Sequence, residues 1–229
     1  MTEGKWVCGI DMGSLNTLSY VAWLKDSTFY LDLYVPSENQ PLPEVPSFIQ
    51  NVQYYAIDAP QGFPKHKRKR RCCDKKAQTP TKKLPQNLKE FEHWKLYKGL
   101  IEAGIKVFWW IHKSKDNFIL GLTDFEGLPT IAETYPRKVA ENLEFGRLPS
   151  KRKEPIRYVN HIWGKLSSQG YRCESVIRPS VDQIDAMLCA IAAKSLLCKK
   201  SVFLGEKPYI DEKEPLLREG FIVTPCGQV

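Results

Sequence analysis

Residues 6–12 (WVCGIDM), 17–24 (TLSYVAWL) and 28–35 (TFYLDLYV) are three β-rich segments in close succession, and the polar Lys25-Asp26-Ser27 between the second and third reads as a hairpin turn. Strands joined by such short links predict an antiparallel meander. A Pro-rich connection, PSENQPLPEVP at 36–46, leads to a fourth strand at 52–58 (VQYYAID). That strand ends at Ala59-Pro60, where proline blocks continuation into a central strand. Beyond it the pattern alternates. A helix is expected at 87–103 with Gly104 as its C-terminal cap, then strands at 105–111 (IKVFWWI) and 128–134, then helices at 136–144, 154–168 and 181–198. Pro136 suits the first position of its helix, and Ser180 with Gln183 has capping-box spacing. Residues 201–204 and 221–224 read as short strands or an irregular tail. This order predicts an α/β fold, a mixed sheet flanked by helices. A chain of 229 residues with 42% apolar side chains buries a core without disulfides, which excludes disorder throughout. A single domain over 1–229 is expected, with a basic insertion at about 61–86.

The charge is concentrated. Residues 65–83 (KHKRKRRCCDKKAQTPTKK) hold ten Lys/Arg and one acid, Asp74, while the rest of the chain is close to neutral. Such a run repels itself and attracts phosphates, with salt-dependent binding. Lys67, Arg68, Lys69, Arg70, Arg71, Lys75 and Lys76 are therefore candidates for holding a nucleic-acid backbone. A solvated loop and a nuclear import signal are the other readings of the same residues. No aromatic residue interrupts 65–90, so the run offers no base-stacking platform.

No apolar run reaches the roughly 18–20 residues of a membrane span. The N-terminal MTEGKWVCGIDMG carries charges where a signal peptide has its apolar stretch, which makes a cytoplasmic location the default. The seven cysteines contain no C-x-x-C and are expected to be reduced, most of them buried. The four histidines are scattered and no G-x-S-x-G elbow exists, which argues against a Ser-His-Asp or Cys-His hydrolase. Trp109-Trp110 are assigned to the core.

Five acids stand out by position. Asp11 interrupts an apolar strand; Asp58 and Glu133 end others; Asp182 and Asp185 lie three apart on an apolar, small-residue helix and so share a face. In open α/β sheets ligands bind beyond the carboxyl ends of strands. Desolvated carboxylates are costly unless paired or metal-bound, and oxygen ligands without His or Cys favour Mg²⁺ or Mn²⁺. Two such ions serve in-line attack on a phosphodiester. Each acid also has a structural reading. Asp11 can bond the Gly13-Ser14 turn, Asp58 turn amides, and Glu133 a cap or Arg137; Asp182 can answer the helix macrodipole.

Together these motifs resemble the domain-of-unknown-function family 429, regarded as predicted nucleases of ribonuclease H-like fold. The resemblance rests on Gly9-Ile10-Asp11, Ile57-Asp58-Ala59-Pro60, Arg71-Cys72-Cys73-Asp74, Glu133-Thr134-Tyr135-Pro136, Asp182-Gln183-Ile184-Asp185-Ala186 with Cys189-Ala190, and Glu219–Pro225. It spans nearly the whole chain and implies a ribonuclease H-like sheet. The wider superfamily, as in Holliday-junction resolvases, places acids on the first strand, at the end of the fourth, and as D-x-x-D on a late helix. Asp11, Asp58, and Asp182 with Asp185 match that pattern as metal ligands. The resemblance also implies that the Arg71–Asp74 stretch approaches the site, where Arg71 would contact a substrate phosphate and Asp74 would orient it.

Three functions compete. The first is a metal-dependent nuclease with a two-ion site, Asp11 bridging both ions and Glu133 positioning water or a ligand. The second is a nucleotide-binding or phosphotransfer protein, because residues 11–17 (DMGSLNT) are similar to the phosphate-binding hairpin of the sugar-kinase and actin superfamily. One copy in a chain of this length favours the first reading; stabilisation by ATP is the mark of the second. The third is a module that binds nucleic acid through 65–83 without cutting it.

Overall fold

The computed structural model describes residues 4–81, 83–114, 116–122 and 128–229; Lys82 of the basic run lies outside them. In chain order the elements are β1 (Trp6–Asp11), β2 (Ser19–Lys25), β3 (Thr28–Tyr34), β4 (Val52–Asp58), α1 (Cys72–Ala77), α2 (Leu88–Glu92), α3 (Lys98–Ser114), β5 (Phe118–Ile119), β6 (Thr130–Thr134), α4 (Pro136–Asn142), α5 (Pro155–Ser168), β7 (Arg172–Cys173), α6 (Val181–Leu197), β8 (Ser201–Ile210) and β9 (Leu217–Pro225). All the strands join one sheet, ordered β7-β3-β2-β1-β4-β6-β9-β8, with β5 beside β6. The first three strands form the expected antiparallel meander. β4 then lies parallel to β1, β6 parallel to β4, and β9 parallel to β6. The architecture is α/β with a mixed sheet flanked by helices, as expected.

Side chains alternate across the sheet, so each strand divides between two cores. Val7, Ala22, Leu24 and Ala56 face α4, α5 and α6. Cys8, Ile10, Trp23 and Ile57 face α3. A Cβ on Gly9 would lie 2.0 Å from the Ala190 nitrogen and 2.2 Å from the Ala186 carbonyl oxygen. Only glycine lets α6 come this close to β1. Ala186, Cys189, Ala190 and Ala193 complete the close seam, and all are buried. The capping box forms as read: Ser180 Oγ accepts from the Gln183 amide at 3.2 Å, and Gln183 Oε1 from the Ser180 amide at 2.7 Å.

Three expectations need correction. Residues 105–111 are helix, not strand. Ile101, Ile105, Phe108 and Ile111 lie on one helical face, while Trp109 and Trp110 are half-buried against the same core and hide the 3.6-residue period in a continuous apolar run. The single helix expected at 87–103 is two, and Gly104 sits inside the second. There a Cβ would meet the Pro60 carbonyl oxygen at 2.6 Å, so the glycine seats α3 on the end of β4. The supposed tail is the long β8–β9 hairpin, whose second strand enters the sheet next to β6. All seven cysteines are free, but only Cys8, Cys73 and Cys189 are buried. No helix of the described residues is long and apolar enough to cross a membrane.

Candidate functional site

Asp11 and Asp58 are register partners at the carboxyl ends of the parallel β1 and β4. Alternation puts Asp11 on the face of Val7 and Gly9, and Asp58 on the face of Ala56, so both point to the α6 side. Asp185 stands one residue before Ala186, in the turn of α6 that Gly9 admits. Strand pairing, a missing Cβ and a helix turn thus bring together residues far apart in sequence. Asp11 and Asp58 are half-buried, and Asp185 is 4% exposed. Asp182 lies one turn earlier on α6 and is exposed, yet its charge is felt at both Asp11 and Asp185.

The cluster contains a cation. Lys151 Nζ donates to Asp185 Oδ2, and the Tyr158 hydroxyl donates to Asp185 Oδ1 at 2.7 Å. The ammonium lies 5.4 Å from the Tyr158 ring centroid. Burial alone would lower the Lys151 pKa, but Asp185, Asp58 and Asp11 outweigh it and hold the ammonium protonated. Even so, the acids are not neutralised. Burial lifts Asp11 well above the usual carboxylate range, and Asp185 and Asp58 lift it further against Lys151. Burial pushes Asp58 up to about 7, with Lys151 opposing and Asp185 and Glu133 assisting. Asp185 is also raised by burial, despite its bonds to Lys151 and Tyr158.

Glu133 is not in this set. It pairs in register with Ile57, so it faces the opposite side of the sheet from Asp58. There Arg71 Nη1 and Nη2 donate to its two oxygens at 2.6 and 2.7 Å, and the Gln61 amide donates at 3.0 Å. The same guanidinium donates from Nε to Asp74 Oδ2 at 2.8 Å and from Nη2 to Asp74 Oδ1 at 3.1 Å. Arg71 is 1% exposed, so its charge serves these two acids and not a ligand in solvent. Cys73 joins them: the ligand atoms of Cys73, Asp74 and Glu133 all lie within 4.8 Å of one another, close enough for one metal ion. Arg71 already supplies the positive charge there, and burial keeps the Cys73 thiol protonated. Among the described residues no three of Asp11, Asp58, Asp182 and Asp185 are as tightly grouped; theirs is the more open arrangement.

The basic run is folded rather than loose. Arg218 of β9 is fully buried, and its Nη1 donates to the Pro64 and Gln86 carbonyl oxygens at 2.7 and 2.8 Å, the two ends of the insertion. Glu219 accepts from the Lys65 and Cys72 amides, both at 2.9 Å. Arg70 donates to the Asp74 and Thr79 carbonyl oxygens, and Arg68 to Glu206 at 2.8 Å. Lys67, Lys69, Lys75 and Lys76 remain exposed.

A cleft of about 930 Å³ opens over the carboxyl ends of β4 and β6. Asp58, Lys151 and Tyr158 lie in its wall, with Tyr97, Tyr135, Arg137, Arg147, Arg152 and Arg157 around them. Lys151, Tyr158, Arg147, Arg152 and Arg157 were not found by the sequence reading; the cationic stretch 147–157 was the one signal for its basic members. The hairpin of residues 11–17 keeps its own amide occupied, since the Gly13 N–H donates to Ser19 Oγ at 3.0 Å. Comparison with models of protein families, with curated proteins and with solved structures finds no match for this chain.

Proposed function

We propose that this chain is a divalent-metal-dependent nuclease built on a ribonuclease H-like sheet, hydrolysing phosphodiester bonds of DNA or RNA. One observation carries the reading: Asp11, Asp58 and Asp185 converge from two parallel strands and one helix, and Asp58, with the Lys151 and Tyr158 that bond Asp185, lies in the wall of a cleft with a cationic mouth. The donors are hard oxygens with no histidine or thiolate among them, which suits Mg²⁺ or Mn²⁺. Burial first, and the neighbouring acids second, raise Asp11 and Asp58, and a bound cation would offset both by favouring the charged carboxylates. Asp11, Asp58, Asp182 and Asp185 would hold such ions, which supply Lewis acidity and a water of lowered pKa. The chain's own groups supply the rest. Lys151 offsets the approach of a phosphate toward three acids. Tyr158 fixes the orientation of Asp185.

The test is cleavage of labelled DNA single strands, duplexes and four-way junctions, and of RNA, with Mg²⁺, Mn²⁺ or EDTA. Metal-dependent products are expected, and Asp185→Asn lowers their rate by about 100-fold or more. A blank panel from folded protein that still binds the probes transfers the reading to a non-catalytic binding module.

A further inference from the structure

The cationic run at 65–83 is the obvious place for a nucleic acid, but little of it reaches the site. Of its basic residues among those described, only Arg71 lines the cleft, and Arg71 is spent on Asp74 and Glu133. The cleft has its own cations. Residues 147–157 (RLPSKRKEPIR) hold five basic residues against one acid, Glu154. Within this stretch Lys151 reaches down to Asp185, and Arg157 pairs with Glu154 at 2.8 Å. Arg147 and Arg152 are exposed, line the cleft, and make no ion pair or hydrogen bond among the described residues, although the charge of Arg147 is felt at Glu154. Two guanidiniums outside any direct ion pair therefore flank the lysine that bonds Asp185.

The far wall has a different character. α4 and α5 pack on one face of the sheet, whereas Leu100 and Ile101 belong to α3 on the other, with Tyr97 directly ahead of that helix. The cleft is the gap between the two helical layers where the strands end. Tyr97 is 50% exposed there and holds a φ of +52°, a backbone region that a bulky side chain enters only at a cost. Its ring is free to stack on a base, as aromatic residues do in sites for unpaired strands. Asp185 is nearly covered, so a phosphate must enter the gap to meet it. A cleft of about 930 Å³ has room for a nucleotide or two of unpaired strand, and not for a duplex.

We propose that the cleft takes an unpaired nucleic-acid strand, its phosphates held by Arg147 and Arg152 and a base stacked on Tyr97, and that the 65–83 run is not the main grip. This deepens the nuclease reading and rests on it for the direction in which the strand is presented.

The test measures binding apart from cutting. Fluorescence anisotropy of labelled oligo(dT), and of the same oligonucleotide annealed to its complement, is followed in EDTA across a salt series. Wild type is compared with Arg147→Ala/Arg152→Ala and with Lys67→Ala/Lys69→Ala/Lys75→Ala/Lys76→Ala; all the altered side chains are exposed, and unchanged melting curves confirm folding. The arginine variant is expected to bind the single strand about tenfold more weakly, with the salt slope reduced by about 1.4, or 0.7 for each lost phosphate contact. The lysine variant changes single-strand affinity by less than about twofold. Tyr97→Ala weakens the single strand and leaves the duplex unaffected. Equal affinity of wild type for duplex and single strand overturns the proposal, as does loss of binding in the lysine variant alone. Arginine-dependent binding without cleavage under any metal keeps this inference and removes the nuclease reading. Metal-dependent cleavage with binding indifferent to both arginines does the reverse.

Discussion

Asp58 holds a proton near neutral pH because burial disfavours its charged form, an effect that Lys151 opposes and that Asp185 and Glu133 reinforce. An unfolded aspartate titrates near 3.9. Between about pH 4 and 7 the folded chain therefore binds a proton that the unfolded chain has released. The stability this contributes is complete below the lower value and is lost as pH rises through the upper one. In EDTA, the melting temperature of the wild type is expected to fall from about pH 5 to about pH 8, and Asp58→Asn to flatten that slope and melt higher at the alkaline end. Parallel slopes in differential scanning fluorimetry would remove Asp58 as the cause. The candidate aspartates were legible because each falls at a strand end or on one face of a helix. Glu133 shows the limit of that signal, since a strand end does not say which face a side chain takes; its register with Ile57 does. Lys151 was not legible at all. In Lys151-Arg152-Lys153 it looks like one of three solvated cations, and only the fold puts it against Asp185.

At the scale of elements, α6 and β1 act as one part. The helix lies close because Gly9 has no Cβ, and Asp185 is carried in by that closeness. Gly9→Ala pushes the helix backbone outward. It is expected to cost about 1–3 kcal/mol in urea unfolding and to depress cleavage at saturating metal, because Asp185 leaves Asp11. Full activity in a destabilised Gly9→Ala protein would break the link between packing and site. α6 was legible from its capping box and small residues, and β1 to β4 from their composition. α3 was not, because an apolar run that includes two tryptophans has no visible period. Its half-buried tryptophans look like core until the helix shows which of its sides is covered. The expected strands 201–204 and 221–224 stop short of Gly205 and Gly220, whereas both glycines lie within paired strands.

Over the whole molecule, contacts remote in sequence decide what composition leaves open. Composition marked 61–86 as an insertion and could not show its anchorage, because Arg218 is 154 positions from Pro64. Arg218→Met removes the group that holds both ends of the segment. Hydrogen exchange of the Lys65, Cys72 and Leu84 amides is then expected to quicken by about tenfold or more, while β1 to β4 keep their protection. Uniform acceleration across the sheet would instead make Arg218 a support of the entire fold.

The order of strands also sets a timetable. Synthesis delivers β1 with Asp11 first, β4 and β6 next, and α6 and β9 long afterwards, yet β9 is the strand that pairs with β6, and α6 carries Asp185. A chain emerging from the ribosome carries the carboxyl-terminal part of β6, beyond its pairing with β5, unpaired on one edge and Asp11 uncovered until those later elements appear. The partly made protein thus depends on early shelter from aggregation.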